Sequence, residues 1–371
     1  MRYLLCGGGT GGHINPAIAI AKEIQSRDKD AVIEFGGSDR GMEGLLVPKA
    51  GFKLHKVEVY GFKRSLSPGN FKSLLKAVTS VWKASEIIKD FSPDIVIGTG
   101  GYASWPYIKA AAKLNIKTLL QEQNAYPGVT TKKLSRIADT VCVSYAESSG
   151  CFGEKAQKKL VLTGNPVTKP QITKKEARKK IGLKETDIYV LSCGGSLGAD
   201  KVNSICLDAM EIYKDKKNIS QIHATGKVGW EKYSRTASEK GLDKRKGFAI
   251  VEYIYDMELR QAAADIVISR AGAITSSELA NAGKAVIFIP SPNVAEDHQY
   301  KNAAVMKNAN AAEVFKESVI DGRILAKTVM DLAKDPEKRG EMERQILTFA
   351  KPDAVKKIVD EVFKLLKIKD I

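Results

Sequence analysis

No apolar run in this 371-residue chain approaches the roughly 18 residues that a membrane-spanning helix needs. Cysteine is sparse: Cys6, Cys142, Cys151, Cys193 and Cys206 are odd in number and include no CxxC pair. A disulfide scaffold and a zinc site are therefore not expected, and three of the thiols sit in the apolar runs "YLLC", "TVCVS" and "VLSC", where cysteine acts as a small hydrophobe. The stretch before the first glycines, "MRYLLC", is too short in apolar residues for a secretory signal. These absences lead to the expectation of a cytoplasmic protein in a reducing compartment. Acidic residues are also in deficit, 43 against 59 Lys and Arg, which leaves a net charge of +16. Such an excess points to an acidic partner: nucleic acid, an anionic membrane or a phosphorylated substrate. With 43% hydrophobic and 27% charged residues, wholesale disorder and fibrous repeats are excluded.

Short β-branched apolar runs alternate with longer segments of helical period. In the first half, residues 2–5, 31–35, 94–98, 117–121, 139–144 and 159–164 read as strands, with helical patterns at 15–26 and 70–89. In the second half, 188–193, 220–226, 247–253, 265–269 and 284–290 read as strands, and 323–371 as helix throughout. Continuous apolar strands alternating with helices indicate parallel sheets covered on both faces. The expected fold is α/β, with two doubly wound Rossmann-like domains facing a cleft. The first is placed at 1–164 and the second at 165–349, around the proline- and lysine-rich "GNPVTKPQITKKEARKK". A terminal helix at about 350–371 is expected to pack back on the first domain.

Each half opens with a strand, a glycine-rich turn and a helix. The first turn is Gly7, Gly8, Gly9, Thr10, Gly11, Gly12, with His13 at its mouth and Pro16 placed in the first turn of the following helix. The second is Gly194, Gly195, Ser196, Leu197, Gly198. Such turns let main-chain N–H groups and a helix start approach an anion, or they serve only close strand-to-helix packing. With only four histidines in the chain, His13 at such a loop is a candidate proton acceptor. Gly7, Gly9 and Gly12 also satisfy GxGxxG with Glu34 about twenty residues on, the weak signature of a dinucleotide-binding oxidoreductase.

Further candidates follow later strands. The turn "SRAGAITSSELANAG" leads Ala273, Ile274, Thr275, Ser276, Ser277 and Glu278 into a helix; Glu278 is either a capping-box partner of Thr275 or a grip on sugar hydroxyls. The proline-bounded loop after 290 ends in Asp297, His298 and Gln299. Gly100, Gly101 and Tyr102 can line an acceptor cleft or form a plain tight turn, and Asn124 precedes a Pro-Gly turn. Phe71, Leu74, Leu75, Val78 and Trp82 recur at helical spacing among lysines, a stripe that suits either core packing or a monotopic membrane contact.

Taken in order, "GGGTGGHINPAIAIA", "GTGGY", "EQN", "GNP", "GGSLGA", "SRAGAITSSELANAG" and "DHQYKNA" resemble the MurG family, over about residues 2–310. The resemblance implies a GT-B glycosyltransferase that moves GlcNAc from UDP-GlcNAc, with inversion, to the C4 hydroxyl of an undecaprenyl-pyrophosphoryl muramyl-pentapeptide. It implies no cofactor, no nucleic-acid partner, and a peripheral place on the cytoplasmic face of an anionic membrane, with Phe71, Leu75 and Trp82 as the contact. Carried onto this chain, His13 is the base or positioning group, and Thr10, Gly11 and Gly12 form the diphosphate loop. Asn124 lies near the transferred sugar and Ser196 by the diphosphate. Ile254 reads uracil through its main chain, Ala273–Glu278 bind the donor with Glu278 on the ribose, and Gln299 meets the GlcNAc hydroxyls. Thr168 stands where many members have arginine after "GNP", with Lys169 beside it; lysine is a point charge and not a planar fork. No DxD-like pair lies on a suitable loop, so no metal ligand is expected. The alternatives are another GT-B enzyme such as a diacylglycerol glycosyltransferase, an NAD-dependent oxidoreductase, or a basic binding module.

Overall fold

The computed structural model describes residues 1–38, 41–59, 69–195 and 197–368; of residues 69–78 and 295 it describes the main chain only. The chain divides into two compact units, Met1–Thr168 with Lys351–Ile371, and Lys169–Ala350. The first unit holds β1 (Arg2–Cys6), β2 (Val32–Ser38), β3 (Lys53–Val57), β4 (Ile95–Gly98), β5 (Lys117–Glu122), β6 (Thr140–Val143) and β7 (Leu160–Leu162). The second holds β8 (Ile188–Cys193), β9 (Ile219–Ala224), β10 (Phe248–Val251), β11 (Ile266–Ser269), β12 (Ala285–Phe288) and β13 (Ala312–Val314).

Both sheets are parallel, ordered β3-β2-β1-β4-β5-β6-β7 and β10-β9-β8-β11-β12-β13. In each, the order reverses beside the first strand, the point at which open α/β sheets bind ligands. The central strands are apolar because both faces are covered. Tyr3 and Leu5 of β1 enter one core with Ile14, Ile20 and Ile24, while Leu4 and Cys6 enter the other with Ile88, Tyr107 and Ile108. In the second unit Val190, Ile266, Ile268 and Ile287 pack on Ile205, Leu325 and Val329.

The helix Ala354–Leu366 belongs to the first unit. Ile358, Val359, Val362 and Phe363 lie in one core with Ala17, Ile20 and Ala21, and Arg27 donates to Asp360 at 2.7 Å. At about 1.5–3 kcal/mol per buried side chain, four such residues contribute an amount comparable to a whole domain's net stability. The terminal helix is thus integral to that unit.

Two expectations about helices are corrected. The first helix begins at Gly11 with Thr10 as N-cap, so Pro16 lies in its second turn and forgoes the bond to the Gly12 carbonyl. The helix Ala273–Ala282 has Gly272 as N-cap, so Thr275 and Glu278 form no capping box and Glu278 stands in the second turn. Among the described residues no helix is long and apolar enough to cross a membrane. The cysteines are free; Cys6 and Cys142 are buried as expected, Cys193 is only half-buried at the end of β8 where burial was expected, and Cys206 is buried as well.

Candidate active site

In the first unit the polar groups gather at the carboxyl edge of the sheet, because parallel strands release their loops on one side. Register pairs Cys6 with Gly98, which sets the first glycine turn against Thr99, Gly100 and Gly101. Thr99 donates its hydroxyl to the His13 carbonyl at 2.7 Å. Gly100 and Gly101 both have positive φ, and a Cβ on Gly101 would stand 2.3 Å from the Gly8 carbonyl oxygen. Only glycine fits there. Tyr102 lies half-buried with its ring against Gly9. These three residues therefore seat the glycine turn and His13.

His13 lies in the first helical turn, half-buried, and its Nδ1 is 2.9 Å from Gln123 Oε1 and 3.2 Å from the Thr99 carbonyl. Gln123 follows β5 and donates Nε2 to the Thr99 carbonyl at 2.7 Å and the Gln121 carbonyl at 3.1 Å. Gln121 Nε2 in turn donates to Ser144 Oγ at 3.1 Å, and Asn165 Nδ2 donates to the Gln123 carbonyl at 3.0 Å. A buried amide chain thus runs along the ends of β4 to β7. Asn124 has its main-chain N–H and its Nδ2 held by Glu122 Oε1 at 3.0 and 3.1 Å, and Glu122 Oε2 accepts from the Gly128 N–H. Gln123 and Glu122 stand in "EQN" beside Asn124, and neither carries a local sequence signal of its role.

A second residue missed from the sequence is Glu43, whose side chain is fully buried. Its Oε2 accepts the Gly9 N–H at 3.0 Å, and its Oε1 accepts the N–H and hydroxyl of Ser38 at 2.8 and 2.5 Å. The Gly9 amide is thereby committed to a carboxylate of the protein. Glu34 sits mid-strand opposite Leu4, bonded sideways to Lys53 at 3.0 Å and to His55. Burial raises its pKa, but these two partners outweigh that and leave it below the usual carboxylate range. It does not stand at the end of β2, so the dinucleotide reading of GxGxxG is set aside.

In the second unit the turn after β8 packs on the loop after β9. Gly198 and Gly226 both have positive φ, and a Cβ on either would meet the other loop's backbone at about 2 Å. Ser196 lies outside the described residues. The helix Asp200–Ile212 starts immediately beyond, and Lys201 in its first turn, Pro290, Asp297, Tyr300 and Lys316 line a cavity of about 560 Å³. Ile254 is buried as a side chain, while its main-chain N–H and C=O have no main-chain partner among the described residues.

The Ala273–Glu278 run divides by face. Ala273, Ile274, Thr275 and Ser277 are half-buried, but the Ser276 side chain is turned into the interior at 0% exposure, which removes it from the expected contact set. Glu278 is half-buried with no hydrogen bond or ion pair among the described residues, and burial holds its pKa above the ordinary value. A carboxylate left without a partner in a semi-apolar place is a mark of a functional site. Gln299 uses Oε1 to accept the Ser291 N–H at 2.9 Å, and its Nε2 has no acceptor among the described residues. His298 starts the helix His298–Asn308, after Glu296 and Asp297 in the left-handed region. Thr168 and Lys169 are exposed.

Two parallel α/β units, each presenting glycine turns and helix starts at the switch point of its sheet, are the architecture of a GT-B glycosyltransferase. Residues 3–143 match the glycosyltransferase family 28 N-terminal domain and residues 189–358 its C-terminal domain. A UDP-N-acetylglucosamine–N-acetylmuramyl-(pentapeptide) pyrophosphoryl-undecaprenol N-acetylglucosamine transferase of Caldanaerobacter subterraneus subsp. tengcongensis is 42% identical, over 96% of this chain and 98% of the relative. One of the same name from Flavobacterium psychrophilum is 41% identical over 99% and 98%. The crystal structure of Acinetobacter baumannii MurG superposes with a TM-score of 0.79 at 27% identity, covering 98% of this chain and 99% of that one. A Staphylococcus aureus MnaA–UDP structure, 13% identical with a TM-score of 0.69 over 99% and 97%, shares the fold alone. The chain belongs to glycosyltransferase family 28 and, within it, to the MurG family.

Proposed function

We propose that this protein transfers GlcNAc from UDP-GlcNAc to the C4 hydroxyl of a lipid-pyrophosphoryl muramyl-pentapeptide, inverting the anomeric carbon. The second unit takes the donor: Glu278 accepts from the ribose hydroxyls, the free main chain of Ile254 meets the uracil, and Gln299 donates to the sugar. Thr275, Ser277 and the helix start at Ala273 face the diphosphate, together with the turn around Ser196; helix N-termini stabilise the charge that grows on departing UDP. The first unit takes the acceptor, with Gly100, Gly101 and Tyr102 around it, while Thr10, Gly11, Gly12 and Asn124 are read as contacts of UDP-GlcNAc. His13 Nε2 accepts the hydroxyl proton as the new bond forms at C1 and the C1–phosphate bond breaks toward UDP.

The observation that carries this reading is Glu278, a carboxylate without a partner among the described residues, at the proposed donor turn of a chain 42% identical to a named GlcNAc transferase. The net charge of +16 and the exposed Trp82 support a peripheral seat on the cytoplasmic leaflet, where anionic lipid and the diphosphate of the acceptor attract lysines. Phe71 and Leu75 have side chains outside the described residues. Turnover of radiolabelled UDP-GlcNAc, offered a lipid-linked muramyl acceptor and diacylglycerol in parallel, tests the assignment. Label entering diacylglycerol alone would favour the diacylglycerol reading, and label in neither would remove both.

A further inference from the structure

We propose that Gln123 is a positioning residue that fixes which nitrogen of His13 carries the proton, leaving Nε2 as the acceptor; this rests on the reading of His13 as the base. A neutral imidazole carries one N–H, and its tautomer is set by what each nitrogen faces. Here Nδ1 faces only oxygen acceptors. One is the Thr99 carbonyl at 3.2 Å. The other is Gln123 Oε1 at 2.9 Å, and the orientation of that amide is not free.

The amide is held by its other end. Gln123 Nε2 donates to two main-chain carbonyls, of Thr99 at 2.7 Å and Gln121 at 3.1 Å, and to Gln121 Oε1 at 2.5 Å. A flipped amide would set its oxygen against three acceptors in a buried place, where an unmet polar group costs about 1–3 kcal/mol. The next links hold Gln121 in turn: its Nε2 donates to Ser144 Oγ at 3.1 Å, and Ser144 Oγ donates to the Glu122 carbonyl at 2.7 Å. The chain begins at main-chain carbonyls, whose polarity cannot reverse, and ends with an acceptor aimed at Nδ1. Nδ1 must therefore donate. Nε2, which has no partner among the described residues, keeps its lone pair for a hydroxyl proton. A bare imidazole would divide itself between two tautomers, one of them unable to accept at Nε2.

The test reads the tautomer directly. The chain has four histidines, so ¹⁵N-histidine-labelled protein gives few signals, and a His13→Ala sample assigns the one that matters. At a pH where the ring is neutral, His13 is expected to show a protonated Nδ1 and a bare Nε2, without substrate present. In Gln123→Leu the signals are expected to move toward the Nε2–H form, with kcat down roughly 10- to 100-fold and donor KM within about twofold. Gln123→Met removes the oxygen at Nδ1 in nearly the same volume, so the same move toward the Nε2–H form and the same split of kcat from donor KM are expected. That variant decides the matter if Gln123→Leu does not fold. A proton on Nε2 in the unaltered protein overturns the proposal, as does a Gln123→Leu or Gln123→Met protein with unchanged tautomer. Full turnover in His13→Ala would instead remove His13 as the base, while the substrate-free tautomer result still stands or falls by itself.

Discussion

Glu43 reaches back across 34 positions to accept the Gly9 N–H at 3.0 Å, so the first glycine turn is braced from beneath by a buried carboxylate. That carboxylate takes three hydrogen bonds at once, two of them from Ser38. Glu43→Gln must turn an NH₂ group toward at least one donor. An orphaned buried donor costs about 1–3 kcal/mol, so the variant is expected to melt several degrees lower and to lose turnover as Gly9 and the adjoining helix start shift. Thermal denaturation and a rate measurement on the same sample check it. A variant with unaltered melting and rate would show that the brace is dispensable.

Gly101, in the seat of His13, and Gly51, in the turn before β3, form a matched pair of left-handed glycines. Both have positive φ, but a Cβ on Gly101 would stand 2.3 Å from the Gly8 carbonyl oxygen, whereas one on Gly51 meets nothing within 4 Å. Gly51→Ala is expected to cost only the left-handed conformation, about 1–2 kcal/mol. Gly101→Ala carries that cost plus the displacement of Gly8, and is expected to reduce kcat as well. Urea denaturation of the two variants separates them; equal losses with equal rates would mean that the backbone approach at Gly101 relaxes freely.

The central strands of both sheets could be read from the sequence because burial on two faces makes them continuous apolar runs. Two edge strands could not. In β3, "KLHKV" sets two apolar residues three positions apart among lysines and a histidine, with no strand period, and β13 is only three residues long. The site was legible to the same degree: glycine turns and small-residue helix starts are local signals, and they marked where chemistry collects. Glu43, Gln123 and Thr99 carry no local signal, since their partners lie 34, 110 and 86 residues away. Ser276 was misassigned because a run of small polar residues does not say which of them a helix turns inward.

If Glu278 grips the donor as proposed, it is expected to set the pH dependence of donor binding. Burial raises its pKa, so the neutral form is reached at a higher pH than for an ordinary glutamate. Only the ionised form accepts strongly from two hydroxyls. Donor KM is therefore expected to climb on acidification, with a midpoint above the usual value of about 4.3. In Glu278→Gln that limb is expected to vanish and donor KM to rise roughly tenfold or more at neutral pH, with a smaller change in kcat. A retained limb would assign the titration to another group.

Asp265 gives the second unit an acid-sensitive lock. Burial alone would raise its pKa, but Lys174 at 2.7 Å, the Tyr189 N–H at 2.7 Å and Arg178 at 2.8 Å prevail and hold it below the ordinary value. A depressed carboxylate contributes stability that is fully present above its unfolded pKa of about 3.9 and is lost as pH falls through the folded value. Asp265→Asn strands a buried guanidinium and is expected to cost about 3–5 kcal/mol at pH 7. The gap between variant and parent should narrow as pH drops below about 4. Urea titrations of both proteins at pH 7 and at low pH check this, and a gap independent of pH would assign the loss to packing.

Trp82 is the described member of the lysine-flanked stripe, and it stands 61% exposed in the helix Gly69–Phe91 while Val81, Ala84, Ile88 and Phe91 face the core. Its neighbours Lys83 and Lys89 are also exposed. An indole outside the core contributes little to folding, so Trp82→Glu is expected to keep stability within about 0.5 kcal/mol. On a membrane the same ring would bury roughly 1.5–3 kcal/mol of apolar surface, and the glutamate adds repulsion from anionic lipid. Binding to vesicles containing phosphatidylglycerol is therefore expected to weaken at least about tenfold, and binding of the parent to weaken with added salt. Vesicles of neutral lipid serve as the reference. Equal binding of parent and Trp82→Glu to anionic vesicles would move the membrane contact away from this helix, and a drop in melting temperature would return Trp82 to the core.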